Sequence, residues 1–271
     1  MKKAIKIVSL IPAHLDSIRF KKKVMHKLFG LPMIENVRRR ALDCGLTENI
    51  IVASGDREIL ETVKNYGGEV KQTYGKHLNG TSRVAEAVRD IDCTHVIVIQ
   101  GDEPLIQKEH LKKLNTAINR NPDIDSWNSI SDLNSEEELN DINIVKAALN
   151  EEGQIIYFFR KSPSYAEFHN QIKYIKKVQG LIAYKKNVLL EIAKSSMTTL
   201  EKYESIEQLR IISKGFKIFS IMQNNQVPSI NTKEDLKKFY DYMDKNPYQY
   251  KLTQKLINSK TNKVINDKQD L

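Results

Sequence analysis

The sequence predicts an α/β protein built around a mainly parallel β-sheet. In the first half of the chain, short apolar runs such as 96–99 alternate with amphipathic segments of about ten residues. This alternation is typical of βαβ units, whose strands run parallel. The chain has 271 residues, of which 40% are hydrophobic and 28% are charged. That length and composition are sufficient for one large domain with a buried core.

Proline, glycine and acidic residues mark the ends of the predicted elements in the first half. Pro12 ends the first strand, Pro32 stands where helices often begin, and Gly45 ends the helix that follows. Asp56 is predicted to cap the second helix, and the glycines at 67–68 close it. The predicted elements are, in order, a strand at 4–11, a helix at 33–44, a strand at 50–53, a helix at 57–66, a strand at 69–72, a helix at 81–90, a strand at 95–100 and a helix at 107–119.

The second half has a less regular pattern, with no internal repeat and no linker. Its predicted elements are strands at 145–149, 154–159, 178–184 and 217–222, helices at 187–193 and 233–242, and an amphipathic segment at 204–213. Thr232 is predicted to cap the last of these helices. From Asn246 the chain is rich in Asn, Lys and Gln, which predicts a tail with a helix at 249–257 and then a frayed end. We therefore expect a single domain over 1–245 and a C-terminal tail over 246–271.

The formal net charge is +9 and the isoelectric point is about 9.3, which leaves two classes of anionic partner open. Basic surfaces bind nucleic acids by neutralising phosphates, whereas a local basic pocket binds a small anionic substrate. The lysines are spread along the chain, and no known DNA- or RNA-binding motif is present. Two clusters stand out, at 21–23 and at 38–40, and we interpret the second as a solvated helix face. The pattern favours a small anionic substrate over a nucleic acid.

The sequence also favours a cytoplasmic protein without a membrane partner. No apolar stretch approaches the roughly 20 residues of a membrane-spanning helix. Residues 1–3 resemble the charged start of a signal peptide, but Lys6 and Pro12 interrupt the apolar residues that follow, and there is no small-residue cleavage site. Cys44 and Cys93 have no Cys or His partner at metal-ligand spacing, so we expect both cysteines to be small residues of the core.

The loop after the first predicted strand concentrates positive charge. Residues 12–23 read PAHLDSIRFKKK and lack the glycines of a Walker A loop. Transfer of a nucleotidyl group requires neutralisation of a triphosphate and of the pyrophosphate that leaves. Arg19, with its planar fork, and Lys23, a point charge, are suited to that task. Solvated surface lysines remain the alternative interpretation of this loop when it is taken alone.

A pair of carboxylates follows the apolar strand at 95–100. Asp102 and Glu103 lie in the segment VIVIQGDEP, and a carboxylate at the end of a buried strand is a common ligand of magnesium. Asp102 is the predicted ligand, since Glu103 would face the opposite side of an extended backbone. The alternative is that Asp102 only caps a turn. Ligands of open α/β sheets bind outside the carboxyl ends of the strands, so the loops at 12–31 and 100–104 are predicted to line one crevice.

Seven segments form a recognisable series along the chain. They are IPAHLDSIRFKKKVM (11–25), GLPMIENV (30–37), NGTSRVAEAV (79–88), QGDEPLI (100–106), YFFRKSP (157–163), LEKYESIEQLRIISKGFKI (200–218) and INTKEDL (230–236). In order and spacing the series resembles the CMP-KDO synthetases, the 3-deoxy-manno-octulosonate cytidylyltransferases. The resemblance covers roughly residues 4–244, and QGDEPLI matches the metal loop of that family directly.

This resemblance implies a Rossmann-like nucleotidyltransferase fold of the GT-A type, with three α/β/α layers and a mostly parallel mixed sheet. It implies transfer of CMP from CTP to the anomeric hydroxyl of KDO or a related acidic sugar, with release of pyrophosphate, in the biosynthesis of lipopolysaccharide or capsule. It also implies Mg²⁺ as the cofactor. A homodimer is expected, with the part at about 140–190 supplying sugar-binding and dimer contacts.

The resemblance also assigns roles to residues, position by position. Arg19, Lys23 and Asp102 would be the catalytic residues, the first two on the CTP phosphates and the third on magnesium. The implied nucleotide-binding residues are Ala13, His14, Arg19, Lys23, Asn79, Gly80, Thr81, Arg83 and Gln100. The implied sugar-binding residues are Arg160, Glu207 and Gln208. The implied metal ligands are Asp102 and Asn231.

Three positions depart from the family pattern. His14 stands where the family usually has an arginine that touches the triphosphate, and Asn231 stands where it has an aspartate able to bind a second magnesium. Val178 falls where a histidine lies near the sugar site of the family. Two alternatives follow from these departures, namely an acidic sugar other than KDO, and a relative that binds nucleotide or sugar without catalysis. Magnesium-dependent release of pyrophosphate separates the two.

Overall fold

The computed structural model describes residues 4–46 and 50–259, so residues 1–3 and the predicted frayed end from 260 onward lie outside the described part. Its strands are β1 (Ile7–Pro12), β2 (Lys27–Leu28), β3 (Leu31–Pro32), β4 (Ile50–Ser54), β5 (Glu69–Gln72), β6 (His95–Ile99), β7 (Ser126–Ser131), β8 (Lys146–Leu149), β9 (Gln154–Phe159), β10 (Ile175–Lys185) and β11 (Ile218–Met222). Its helices are α1 (Met33–Asp43), α2 (Arg57–Asn65), α3 (Gly80–Ala87), α4 (Lys108–Arg120), α5 (Glu136–Asn140), α6 (Phe168–Gln171), α7 (Lys186–Lys194), α8 (Thr199–Glu204), α9 (Gln208–Ser213), α10 (Asp235–Lys245) and α11 (Pro247–Asn258). Within the described residues, every helix is too short or too polar to cross a bilayer.

Contacts divide the chain into two compact units. Unit 1 contains the residues up to Val8, His77–Val98 and Lys112–Gln226. Unit 2 contains Ser9–Lys76, Ile99–Leu111 and the residues from Val227 on. Strands β1 and β6 and helix α4 each have residues in both units. The single domain expected over 1–245 stays a prediction.

In unit 2, strands β1, β4 and β5 form a parallel set, as the sequence predicts. Pro12 at the end of β1 lies opposite Ala53 of β4, and Ser54 at the end of β4 lies opposite Gln72 of β5. The three strands therefore end at one edge, where the loop after β1 begins. An apolar core of unit 2 consists of Phe20, Leu28, Met33, Leu105, Ile230, Phe239 and Met243.

The three arginines at 38–40 on α1 are buried, so the prediction of a solvated helix face is wrong. Helix α11 packs against α1 and supplies hydrogen-bond acceptors for two of them. Arg39 Nη1 donates to the carbonyl of Leu256 at 2.6 Å, and Arg40 Nη2 donates to Thr253 Oγ1 at 2.6 Å. Burial lowers the pKa of Arg40 to about 10. The helix predicted in the C-terminal tail is confirmed, and it is an integral part of unit 2.

In unit 1, β7 lies between β10 and β11. Strand β10 runs antiparallel to β7, whereas β11 runs parallel to it. Strands β8 and β9 form an antiparallel pair, and β9 also pairs with β11. The sheet of unit 1 is therefore mixed. The sequence predicts no strand at 126–131, because polar residues occupy most of SWNSIS, yet all six positions of β7 are buried.

Most other predicted elements are confirmed close to their expected bounds, among them the helix at 33–44 and the strands at 69–72 and 154–159. The amphipathic segment at 204–213 is not one continuous helix, because Ser205 adopts a left-handed φ of 54° between α8 and α9.

The helix predicted at 233–242 begins later, at Asp235. The side chain of Asp235 accepts the N–H groups of Asn231 and Thr232, each at 3.0 Å, and so organises the turn before α10. Thr232 therefore does not cap this helix in the way that the sequence suggests.

Candidate active site

The loop after β1 is held by contacts within unit 2. The N–H of Ala13 donates to a carbonyl of β4 at 2.9 Å, and the N–H of Leu15 donates to Asp56 Oδ2 at 3.0 Å. Asp56 is the N-cap residue of α2, as the sequence predicts, but its side chain accepts the hydrogen bond from Leu15 and makes none to the helix. Lys22 then adopts a left-handed φ of 53° and leads into a 3-10 turn that begins at Lys23. These contacts fix where the predicted phosphate-binding lysine lies.

Lys23 and Asp102 form an ion pair at the end of this loop. Lys23 Nζ lies 2.6 Å from Asp102 Oδ2, and the two side chains are only 10% and 22% exposed. The N–H of Ile230 donates to the main-chain carbonyl of Asp102 at 2.9 Å. This contact fixes the backbone of the QGDEP loop against the segment that precedes α10.

Arg19 and Asn231 make a second contact in the same part of unit 2. Arg19 Nη2 donates to Asn231 Oδ1 at 3.1 Å, and the arginine is exposed. Asn231 follows Ile230, whose N–H is hydrogen-bonded to the main chain of Asp102. The Lys23–Asp102 pair and the Arg19–Asn231 pair therefore belong to one group of side chains. We call Arg19, Lys23, Asp102 and Asn231 the cationic cluster. The structure thus brings together the three predicted catalytic residues and both predicted metal ligands.

Asp235 adds a second carboxylate behind this cluster. Burial alone would raise its pKa, but the N–H groups of Thr232 and Asn231 and the neighbouring Lys238 hold the pKa below its ordinary value. Of the remaining predicted residues in unit 2, His14 is exposed, Ala13 is buried and Gln100 is half-buried.

Two members of the cationic cluster carry oxygen donors of the kind that bind small divalent cations. Across residues 4–46 and 50–259, no group of three or more His, Cys, Asp or Glu side chains is arranged to hold a metal ion. Asp102 offers a carboxylate and Asn231 an amide oxygen, and both are hard donors. Mg²⁺ is usually bound through one or two carboxylates together with substrate phosphates, so this donor set fits magnesium.

In unit 1, helix α3 begins with a capped turn. Asn79 Oδ1 accepts the N–H of Ser82 at 2.9 Å, and Gly80 is the first helical residue. The remaining N–H groups of such a turn can bind an anionic or polar ligand. Arg83 lies on the same helix, close enough to His77 that its positive charge, after burial, lowers the pKa of that histidine.

Thr81 at the start of α3 contacts Glu207 at the start of α9. Thr81 Oγ1 donates to Glu207 Oε1 at 2.6 Å and lies 3.4 Å from the hydroxyl of the fully buried Tyr184. The other carboxylate oxygen, Glu207 Oε2, is shielded from solvent and has no hydrogen-bond partner among the described residues. Burial raises the pKa of Glu207. The structure therefore joins a predicted nucleotide-binding residue to a predicted sugar-binding residue.

The other two predicted sugar-binding residues contact protein groups of unit 1. Arg160 donates to three main-chain carbonyls, those of Glu204, Ile142 and Ser205, at 2.9, 2.9 and 3.1 Å. It thereby fixes the turn between α8 and α9, and its role toward a sugar stays a prediction. Gln208 Nε2 donates to Asn128 Oδ1 at 3.3 Å.

Sequence reasoning missed three residues of these groups, namely Asn128, Tyr184 and Asp235. Tyr184 carries the only visible signal, since it ends an apolar run on β10. Asn128 lies in a strand that the sequence does not predict, and Asp235 lies within the helix predicted at 233–242, which begins only at this residue. Asn128 and Tyr184 contact residues far away in the chain, whereas Asp235 accepts hydrogen bonds from residues three and four positions before it.

A cationic loop after a parallel strand, paired with a carboxylate that follows another buried strand, is an arrangement suited to a nucleotidyltransferase, because both charges are needed to hold a triphosphate and its metal ion. The chain belongs to the cytidylyltransferase family, whose model, described as cytidylyltransferase, matches residues 8–218.

Similar proteins agree with this assignment. The chain is 34% identical over 242 residues to a 3-deoxy-manno-octulosonate cytidylyltransferase of Fusobacterium nucleatum subsp. nucleatum, covering 89% of this chain and 98% of the relative. It is 36% identical over 233 residues to a protein of the same name from Chlorobium limicola, covering 84% and 94%. A solved structure of a CMP:2-keto-3-deoxy-manno-octonic acid synthetase complexed with CTP matches with a TM-score of 0.82 and 28% identity, covering 89% and 99%. This match confirms the predicted fold class.

Proposed function

We propose that this cytidylyltransferase transfers CMP from CTP to the anomeric hydroxyl of KDO, or of a related 3-deoxy-ulosonic acid, and releases pyrophosphate. The observation that carries the proposal is similarity over nearly the whole length of relatives named for this reaction, 98% in the case of the Fusobacterium protein. The cationic cluster supports the phosphate half of the reaction, because Arg19 and Lys23 supply two positive charges beside the carboxylate of Asp102.

The chemistry is a displacement at phosphorus. A bond forms between the anomeric oxygen and the α-phosphorus of CTP, the bond from that phosphorus to the bridging oxygen of the β-phosphate breaks, and the anomeric hydroxyl releases its proton to solvent. Lys23 and Arg19 would neutralise charge on the phosphates that remain and on those that leave. Since no covalent enzyme intermediate is required, the protein contributes mainly by positioning the reactants and by stabilising charge.

The proposal includes Mg²⁺ as the cofactor, held by Asp102 with Asn231 as a neutral second donor. When bound, the ion would supply charge neutralisation of phosphate oxygens and lower the pKa of a hydroxyl beside it. Asn231 brings an oxygen without a negative charge, so a second ion at this position would be held more weakly than by an aspartate.

A different acidic sugar is the second candidate acceptor. Two observations favour it, since Val178 on β10 places an apolar side chain where the resemblance leads us to expect a histidine, and Arg160 uses its guanidinium on three main-chain carbonyls. We also propose a homodimer, supported by the exposed side chains of Ile142 and Ile156 in the part at 140–190, which are 62% and 51% exposed. We further propose a cytoplasmic location for this CTP-dependent reaction.

The test is release of pyrophosphate from CTP by the purified protein with Mg²⁺, first with KDO and then with a panel of other ulosonic and nonulosonic acids. We expect release with one sugar, loss of release after addition of EDTA, and recovery with excess Mg²⁺. Asp102→Asn should reduce kcat by about a hundredfold or more, because it removes the only charged donor of the proposed metal site. Asp123→Asn is the matched control, since this carboxylate is 96% exposed and lies in unit 1.

Activity with KDO supports the first acceptor, and activity only with another sugar supports the second. Binding of CTP without release of pyrophosphate from any sugar would instead show a relative that binds its ligands without catalysis. Equal activity of Asp102→Asn and wild type would contradict the assignment of this residue.

A further inference from the structure

Strand β7 carries polar side chains in the interior of unit 1. Ser126, Asn128, Ser129 and Ser131 are all fully buried. Burying a polar group lowers the stability of the fold unless the group is hydrogen-bonded, so each of these side chains is expected to have a hydrogen-bond partner. Ser126 donates to the carbonyl of Lys217, which is an ordinary structural bond. Asn128 instead connects the strand to Gln208, the second residue of the Glu207–Gln208 pair.

The contacts of Asn128 determine how its amide is oriented. Nδ2 lies 2.9 Å from the carbonyl of Ser129 and 3.2 Å from the carbonyl of Gln179. Carbonyl oxygens only accept hydrogen bonds, so the amino group must face them and Oδ1 must face away. That oxygen lies 3.3 Å from the amide of Gln208.

The orientation of Asn128 in turn fixes the amide of Gln208. Because Asn128 Oδ1 is an acceptor, Gln208 must present its Nε2 donor, and a flipped amide would place two oxygens against each other. With Nε2 used in this bond, the carbonyl oxygen Oε1 is the atom of the Gln208 amide that can accept a hydrogen bond from a ligand. Beside it in the chain, Glu207 Oε2 is a second acceptor, and it has no donor among the described residues. These two acceptor oxygens at the start of α9 suit a ligand that donates hydrogen bonds through hydroxyl groups.

We propose that Asn128 is a positioning residue, which holds the Gln208 amide so that Oε1 accepts a hydrogen bond from a hydroxyl group of a substrate. The hydroxyl belongs either to the acceptor sugar or to the ribose of CTP. The inference rests on the proposed function for the identity of these two ligands. The orientation of Gln208 does not depend on that function.

The first experiment measures the side-chain amide of Gln208 by NMR in the wild type, in Asn128→Leu and in Ser126→Ala. Gln208→Leu identifies the resonance by its loss. We expect slow hydrogen exchange of the Gln208 amide in the wild type and in Ser126→Ala, and at least tenfold faster exchange in Asn128→Leu. Asn128→Ser is the second variant if Asn128→Leu does not fold, because a smaller polar side chain leaves room for water at the two carbonyls.

The second experiment measures the dissociation constants of KDO and of CTP by calorimetry for Asn128→Leu, Gln208→Leu and the double variant. We expect about a tenfold weaker affinity for one of the two ligands, the value for one lost hydrogen bond, and no change for the other. The ligand that loses affinity identifies the source of the hydroxyl. If Asn128 acts through Gln208, the double variant binds no more weakly than Gln208→Leu alone.

The outcomes separate this inference from the proposed function. A wild type that releases no pyrophosphate with any sugar contradicts the proposed function, whereas the amide exchange and the affinity for CTP still decide the inference. Unchanged exchange of the Gln208 amide in the Asn128 variants would overturn it. So would additive losses in the double variant, or an unchanged affinity for both ligands in Gln208→Leu.

Discussion

Replacing Lys23 with methionine should make the free protein bind Mn²⁺ more tightly, although the same change should weaken CTP binding. The reason is the ion pair in which Lys23 Nζ lies 2.6 Å from Asp102 Oδ2. A divalent cation that binds Asp102 must replace this ammonium group. Methionine has a similar length and no charge, so the carboxylate would be available to the metal ion.

The structure sets the size of the effect. A hydrogen bond between charged groups contributes roughly 1.5–3 kcal/mol net, and the 22% exposure of the Asp102 side chain places this pair near the lower end. We therefore expect a gain of about 1.5–2 kcal/mol, or about 10- to 30-fold in Mn²⁺ affinity. For CTP the expected change has the opposite sign, because Lys23 is the proposed phosphate ligand.

The assay is titration of Mn²⁺ into the nucleotide-free protein, followed by electron paramagnetic resonance of the unbound ion. Lys22→Met is the matched control, since it removes the same charge from the adjacent residue, whose partner is Glu58 on α2 rather than Asp102. This control should change Mn²⁺ affinity less than about threefold, because exposed ion pairs are weak and screened by salt. An affinity of Lys23→Met for Mn²⁺ equal to that of the wild type, or weaker, would refute the reasoning.

Two further predictions concern stability. Arg40→Ala should lower the free energy of unfolding by about 2–4 kcal/mol and speed hydrogen exchange in α11, because it removes buried hydrogen bonds to Gln249 and Thr253. The control is Lys255→Ala, on the exposed side of the same helix, which should lower the free energy of unfolding by less than about 0.5 kcal/mol. Lys146 is fully buried, and burial lowers its pKa from 10.5 to about 8. Between these values the unfolded chain binds more protons than the folded protein, so this residue adds stability as the pH rises. In Lys146→Met the free energy of unfolding, measured with urea at pH 7.5 and 10, should lack this rise with pH, which amounts to up to about 3 kcal/mol. If the variant and the wild type show parallel pH profiles, the prediction is wrong.

The apolar strands and most helices could be predicted because their signals are local. A run such as VIVI before Gln100 has one favourable environment, the sheet interior, and the periodicity of α1 and α4 indicates helices whatever they pack against. The chemistry-bearing residues Arg19, Lys23 and Asp102 were predicted for a similar reason, since each lies in a short segment that follows such a strand.

Burial of polar residues could not be predicted in the same way. The arginines of α1 have the composition of a solvated face, and their burial depends on α11, where the partner of Arg40 lies 209 residues further along the chain. Strand β7 has the composition of a loop, and the partner of Asn128 is 80 residues away. A polar side chain enters a protein interior only where a partner satisfies its hydrogen bonds, and a linear pattern does not reveal that partner.

The sequence alone thus determined the fold class, the family and the residues expected to bind the triphosphate and the metal ion, because short segments with fixed spacing carry that information. Only the tertiary structure decided that Lys23 pairs with Asp102, that Arg160 fixes a turn, and that Thr81 contacts Glu207. These are contacts between segments distant in sequence, and their geometry depends on how the strands and helices pack.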